Sequence, residues 1–386
     1  MISKKIVPDY WFTIEPYVYV SINNNNALLY NTLDGITVGS NKINVIELLQ
    51  ELLIKENSGV IKLTNERYRQ KEINHFIRLL RENFMCDVID ITLSKKKPVQ
   101  LLPFFNYSIN QDIYRKQNFP RHRSVLTNLF EVSLIIDLTL DVKKTLFYLQ
   151  SIPENIIINL IGDLKSVKDY HRLLSFLNQR SSLKSIFCSY KNIIPLQPDY
   201  NNNFSYTVSI DFPIDIQKLR DSIHLLSLQN LKIEYIFDVK SVDDYSFSEN
   251  LAKDFKIENY KFNPIFNGEN LDFLEEYVFL NKDDILSENI ISMKNIFANQ
   301  AMNIYDFGKI NIMPNGDAYG NVNHPALGNI FENSILEIVS NELEVGKSWF
   351  RIRNEAPCNN CVYQWLCPSP SDLELDIGKP NLCHVK

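Results

Sequence analysis

The stretch Val132-Ser133-Leu134-Ile135-Ile136-Asp137-Leu138 decides how this chain is read. It is a short apolar run rich in branched residues, with the length of a strand buried in a sheet. Similar runs recur at residues 156–160, 185–189, 206–212, 233–239 and 260–266, each about one strand-plus-helix further on. Between them Val167, Tyr170, Leu174 and Leu177, and again Ile216, Leu219, Ile223 and Leu226, follow steps of 3, 4 and 3, the spacing of one helix face. Repeated βα units predict an α/β fold with a parallel sheet and right-handed crossovers. Six units in about 200 residues fall short of the ~250 that a closed eight-stranded barrel takes. The expectation for residues 96–300 is therefore an open, partial (β/α)6 barrel.

Both flanks read differently. In residues 1–95, Tyr17-Val18-Tyr19-Val20-Ser21-Ile22 and Ala27-Leu28-Leu29-Tyr30-Asn31-Thr32 are strand-like runs around an asparagine turn. Asp34-Gly35 is a hairpin signal that leads into Ile36-Thr37-Val38. Val45, Leu49 and Leu52, flanked by Ile46 and Leu53, predict a helix; residues 59–64 read as extended. A second helix is predicted over residues 67–82, with Ile73, Phe76, Ile77 and Leu80 as its stripe. Three strands followed by helices suit a small winged-helix-like module. In residues 301–386, Lys309-Ile310-Asn311-Ile312-Met313 predicts a strand and Pro314-Asn315-Gly316-Asp317 a turn. Ala318-Tyr319 is the return strand, and a short helix over residues 334–341 precedes a cysteine cluster. Three parts fit 386 residues at roughly 100–200 per domain.

Composition removes several functions. With 11 glycines the chain contains neither GxGxxG nor GxxxxGK[ST], so the two glycine-rich phosphate cradles are missing. A net charge of −6 with no basic stripe argues against nucleic acid, whose affinity rests on Lys and Arg neutralising phosphates. No apolar run reaches the ~18 residues of a membrane span, and residues 1–10 have no apolar core of a secretory signal. The expectation is a cytoplasmic protein with reduced cysteines.

Four of the 6 cysteines form the string Cys358-x2-Cys361-x5-Cys367-x15-Cys383. The Cys-x2-Cys step brings two thiolates to one ion from a single turn, and two later thiolates complete a tetrahedron suited to Zn²⁺ or an iron–sulfur cluster. Such a closed site serves folding or electron transfer. Cys358-Asn359-Asn360-Cys361 read as a redox dithiol would need a thioredoxin-like βαβ setting, which is not in view; unrelated free thiols are the third possibility. Cys86 and Cys188 stand alone in apolar runs and read as small buried hydrophobes. Asp137, Asp163, Asp211 and Asp238 each follow or close a strand. At a barrel mouth they are candidates for binding a divalent cation or for acid–base work; the plainer reading is that each caps the next helix, as Asp163 would before a helix over residues 164–180. The six histidines (75, 122, 171, 224, 324 and 384) show no metal-binding spacing.

The string from Cys358 to Cys367 with Val362-Tyr363-Gln364-Trp365-Leu366, and the ending Gly378-Lys379-Pro380-Asn381-Leu382-Cys383-His384-Val385, resembles the SPASM domain that follows many radical-SAM peptide maturases. With Tyr10-Trp11-Phe12 and Glu15-Pro16-Tyr17 at the other end, the whole chain resembles pseudo-radical-SAM/SPASM proteins of Bacteroidetes ribosomal-peptide modification systems. The resemblance implies a radical-SAM-type barrel, a peptide-recognition module in residues 1–95 and a SPASM-like metal domain in residues 301–386. It also exposes departures. An active relative carries Cys-x3-Cys-x2-Cys after the first barrel strand, where this chain has Thr139-Leu140-Asp141-Val142-Lys143 and no cysteine from 87 to 187. The family's Gly-Gly-Glu is Ile161-Gly162-Asp163, so no SAM is expected. The first auxiliary cluster would need cysteines near Tyr305, Asn321 and Ser371; the second matches Cys358, Cys361, Cys367 and Cys383, which implies one [4Fe–4S] or zinc centre.

In that family a leader peptide adds as a strand to the module's sheet and packs on a helix. Here the edge would be Ile36, Thr37 and Val38 and the helix face Ile73, Phe76 and Ile77, unless those residues serve only as the module's own core. The expected function is a non-catalytic accessory protein that binds the precursor leader peptide, the active radical-SAM maturase, or both. The alternatives are an enzyme using the barrel-mouth carboxylates, an electron relay through the retained cluster, and a structural subunit whose barrel is a dimerisation surface.

Overall fold

The computed structural model describes residues 9–23, 25–94, 96–103, 125–196, 204–229, 231–287 and 289–385; His122 and the chain start at residues 1–8 lie outside them. The N-terminal part runs β1 (Tyr10–Ile14), β2 (Val18–Ile22), β3 (Ala27–Asn31), β4 (Thr37–Ser40), α1 (Ile43–Leu53), β5 (Val60–Leu63), α2 (Asn65–Tyr68), α3 (Lys71–Glu82) and β6 (Cys86–Asp90). The expected meander is present as the antiparallel sheet β2-β3-β4. Its second turn uses Gly35 at φ +80°, a left-handed conformation that glycine adopts without penalty.

Two features differ from the sequence reading. A second antiparallel sheet, β5-β1-β6, is built around β1, which pairs Trp11 with Lys62 on one side and with Ile89 on the other. The helix over residues 67–82 is interrupted. The Thr64 side chain caps the short α2, which ends at Tyr68, and α3 restarts at Lys71. Its stripe of Ile73, Phe76, Ile77 and Leu80 is fully enclosed with Val45, Leu49 and Leu52 of α1. Burying each such side chain stabilises the module by about 1.5–3 kcal/mol.

Side chains alternate across a strand, and the meander uses both of its faces. Val18, Val20, Leu29 and Val38 join the core beneath α1 and α3. Tyr19, Leu28 and Tyr30 point the other way, into a cluster with Ile285, Ile296, Tyr363, Leu366 and Cys367. Two hydrogen bonds fix that contact: Ile291 N donates to Tyr30 Oη at 2.8 Å, and Gln300 Nε2 donates to Tyr19 Oη at 3.3 Å.

The central part runs β7 (Glu131–Ile136), α4 (Val142–Leu149), β8 (Ile157–Gly162), α5 (Tyr170–Asn178), β9 (Lys184–Ser189), β10 (Phe204–Ile210), α6 (Ile216–Ser227), β11 (Lys232–Val239), α7 (Val242–Asp254) and β12 (Tyr260–Pro264). All six strands are parallel and adjacent in chain order, as the sequence predicts. One face carries Val132, Leu134, Ile158, Leu160, Ile186, Val208 and Phe237 into the main core with Leu173, Leu177, Leu219 and Leu226 of the helices. The other face is mixed and carries one polar row: Ser133, Asn159, Ser185 and Ser205 stand side by side across four strands. The helix expected over residues 164–180 is instead a 3-10 turn at Leu164–Ser166 and a separate α5, parted by Asp169 at φ +61°.

The C-terminal part holds α8 (Leu271–Tyr277), α9 (Lys282–Ser287), α10 (Met293–Ala301), β13 (Lys309–Ile312), β14 (Asp317–Tyr319), β15 (Gly328–Asn329), α11 (Ile335–Val345) and α12 (Asp372–Ile377). The hairpin expected at residues 309–319 forms, and it also joins the main sheet: β13 pairs parallel with β7, Ile310 opposite Val132. The result is one open nine-stranded sheet, β12-β11-β10-β9-β8-β7-β13-β14-β15. Among the described residues, no helix is long and apolar enough to cross a membrane.

Candidate functional site

The four C-terminal cysteines reach one place by three routes. Cys358 starts a 3-10 turn, and Cys361 N donates back to Cys358 O at 3.0 Å. Cys367 follows a second turn closed on Tyr363 O, also at 3.0 Å. Cys383 is carried in by the last residues, where Leu280 N donates to Leu382 O and His384 N to Leu280 O, both at 2.9 Å. All four line a cavity of about 300 Å³ together with Leu280, Tyr363, Leu382 and Val385. Asn23 and Asn26, from the β2–β3 turn, close its rim, and Asn23 Nδ2 donates to Asn360 O at 2.6 Å.

Burial pushes the Cys367 thiol up to about 12, against the opposing pull of the Arg353 guanidinium. Burial raises Cys361 as well. Among the described residues no three of Cys, His, Asp or Glu form a group tight enough to hold a metal ion. The thiols thus share a cavity without converging on one point. In chemistry the donor set fits zinc or an iron–sulfur cluster; the closed ligand geometry is not formed. His384 is engaged elsewhere, with Nε2 2.7 Å from Glu275 O.

Arg353 and Asn299 hold the cysteine loops, and sequence reasoning missed both. Arg353 is buried, with Nη2 2.8 Å from Glu374 Oε1, Nε donating to Pro368 O at 2.5 Å and Nη1 4.0 Å from Cys358 Sγ. Asn299 Nδ2 donates to Trp365 O and Cys367 O, both at 3.1 Å. Neither residue belongs to a local motif; the carbonyls that accept from their side chains lie 15 or more positions away.

Tyr305, Asn321 and Ser371 do come together. They line a second cavity of about 450 Å³ with Asp306, Asp372, Glu131 and Ser133. A polar network fills its wall. Asn321 Nδ2 donates to Asp306 Oδ1 at 3.0 Å and to Asp372 Oδ1 at 2.6 Å. Arg351 Nη2 lies 3.4 Å from Asp306 and 3.3 Å from Asp372, while Nη1 donates to Ser371 O at 3.1 Å. Burial raises the Asp306 carboxyl above the usual range, and the Asn321 amide opposes that shift.

Two of the four strand-end aspartates stand at the ends of neighbouring strands. Asp211 pairs with Lys191 Nζ at 2.9 Å, and Asp238 accepts from Asn263 Nδ2 at 2.8 Å. Burial raises the Asp238 carboxyl, and Asp211 adds to the shift. The other two serve their own loops. Asp137 accepts from Thr139 N and Oγ1 at 2.7 and 2.6 Å, and Asp163 caps the 3-10 turn by accepting from Lys165 N at 3.0 Å. Gly162 sits at φ +134°, where an added Cβ would lie 2.2 Å from Ile136 O.

At the module edge, β4 has β3 on one side and, among the described residues, no strand on the other. Asn31 N donates to Ile36 O, and Val38 stands opposite Leu29. Antiparallel pairing alternates, so Thr37 and Gly39 turn their main-chain groups to the open side. Ile36 is exposed, Thr37 half-buried and Val38 buried. Ile73, Phe76 and Ile77 are not at this edge surface, because the module's own core encloses their side chains. Cys86 and Cys188 are buried in β6 and β9, and burial pushes both thiols up to about 12.

No family model matches the chain, and no curated protein does. Among solved structures it is similar to three of anSMEcpe, an anaerobic sulfatase-maturating enzyme. The His-tagged form with bound AdoMet shares 11% identity over 61% of this chain and 84% of that one, with a TM-score of 0.40. The native form with AdoMet shares 12% over 61% and 88%, TM-score 0.41. The native form with AdoMet and a Kp18Cys peptide shares 14% over 61% and 88%, TM-score 0.39.

Proposed function

We propose that this chain is a non-catalytic, cytoplasmic accessory protein of a ribosomal-peptide modification system, which binds the precursor leader peptide and presents it to a radical-SAM maturase. The observation that carries the reading is the open edge of β4. It offers unpaired main-chain groups at Thr37 and Gly39 beside α3, the arrangement that strand addition uses. The absence of any cysteine from 87 to 187 supports a role without radical chemistry of its own. A binder held next to an enzyme raises the local concentration of substrate and needs no catalytic group. Within the same reading, Cys358, Cys361, Cys367 and Cys383 hold one zinc or [4Fe–4S] centre whose role is structural.

The test is leader-peptide binding by fluorescence anisotropy. Gly39→Pro removes an outward N–H and leaves pairing to β3 intact, since proline is tolerated on the free side of an edge strand. Binding is expected to fall at least about tenfold, the effect of losing roughly one good hydrogen bond. Unchanged binding by Gly39→Pro, or no binding of leader or maturase by the native chain, overturns the proposal.

A further inference from the structure

Beside the cysteine cavity lies a larger one of about 640 Å³, walled by the loop after α11, by residues 350–355 and by α12. Four cations line it, Lys347, Arg351, Arg353 and Lys379, against Glu355 and Glu374. Arg351, Arg353 and Lys379 are ion-paired, so Lys347 is the cation of this lining without an ion pair among the described residues. The carboxylates that balance Arg351 and Lys379, namely Asp306, Asp372 and Glu275, stand outside the lining. Lys347 is exposed and forms no ion pair among the described residues. Arg351 Nε is shielded from solvent and has no hydrogen-bond partner there.

A histidine in the same wall senses this field. His324 Nδ1 lies 2.9 Å from Ser348 Oγ. Burial holds its imidazole below the ordinary range; Arg351 and Lys347 push it the same way, and Asp372 opposes them.

We propose that this cavity binds a small organic oxyanion, a carboxylate or phosphate monoester with a short apolar body, between Lys347 and Arg351. Lys347 supplies the free ammonium for a charge-assisted hydrogen bond to either oxyanion, and Arg351, its Nη groups held by Asp306, Asp372 and Ser371 O, adds its charge at longer range. Phe350 and Pro370, both buried in the wall, provide contact for the apolar body. The volume lies in the range of small-molecule sites.

The test titrates the full chain with phenyl phosphate, benzoate and inorganic phosphate, followed by calorimetry and by the His324 ring signals in NMR. Saturable one-site binding is expected, with a rise in the His324 titration midpoint, because a bound anion cancels part of the positive field. Lys347→Glu is expected to weaken binding at least about tenfold, by removing one charge contact and adding a repulsion. Lys168→Glu, an equally exposed change before α5, is expected to leave it unchanged. Phenyl phosphate against benzoate identifies the oxyanion. Inorganic phosphate binding as tightly as phenyl phosphate removes the apolar part of the proposal. No saturable binding of any probe, equal weakening by both variants, or binding that leaves His324 unmoved overturns it.

Discussion

Two cavities in the last third of the chain solve opposite problems. The one between Cys358 and Cys383 collects four thiols among apolar side chains. The other collects Asp306, Asn321 and Asp372, with Arg351 behind them. In the second, Asn321 and the Arg351 Nη groups bind both carboxylates, so the wall is held by its own charges. In the first, thiols are weak hydrogen-bond partners and burial raises two of them. Such a quartet gains most from a metal that deprotonates it. The chain has thiols at one place and an ion network at the other.

The largest expected effect tests the first half of that contrast. If the quartet holds metal, Cys367→Ser or a strong chelator should remove a large share of the ~10 kcal/mol that structural zinc sites contribute. Thermal denaturation with parallel elemental analysis measures it. A metal-free native chain, with a melting temperature indifferent to chelator and to Cys367→Ser, would break the contrast.

Next comes the network. Arg351→Met leaves Asp306 buried without its cation and is expected to cost about 3 kcal/mol in denaturant unfolding. Burial already raises Asp306, so its folded form holds protons better than the unfolded form. The loss should therefore be greatest at neutral pH and shrink as pH falls through the carboxylate range. The double variant with Asp306→Asn should recover most of the stability. Equal loss at all pH values would assign the effect to packing rather than to charge.

The smallest effect concerns His324, which feels Arg351 of the network and lines the cavity beside the cysteines. Its folded pKa lies below the unfolded value of about 6.5. Between those two values the unfolded chain binds more protons, so stability falls as pH drops below about 6.5 and levels off beneath the folded pKa. His324→Gln should flatten that part of the curve by less than about 1 kcal/mol. An unaltered slope would place the acid sensitivity elsewhere.

Much of this was legible in order along the chain. The six parallel strands were readable because each is a contiguous run of branched residues, and α1 and the stripe of α3 because their faces repeat at 3.6. Pairings across sequence distance were not. β1 is short, and its partners lie some fifty and eighty residues on. The 309–319 hairpin reads as a separate unit, since nothing local says that Ile310 will lie beside Val132. The same limit applies to the sites. The cysteine string was legible, and its four thiols line one cavity; Tyr305, Asn321 and Ser371 line another. Arg353, Asn299 and the Asn23–Asn26 rim came only with the fold.

The two-faced meander has a consequence for how the chain is made. Residues 9–90 have a core of their own, but Tyr19, Leu28 and Tyr30 wait for Ile285, Ile296, Tyr363 and Leu366. At a synthesis rate of roughly 10 residues per second, that aromatic face emerges about half a minute before the last of its cover. During that interval the aromatic face stands uncovered, and a nascent-chain chaperone has a defined surface and a defined time in which to act.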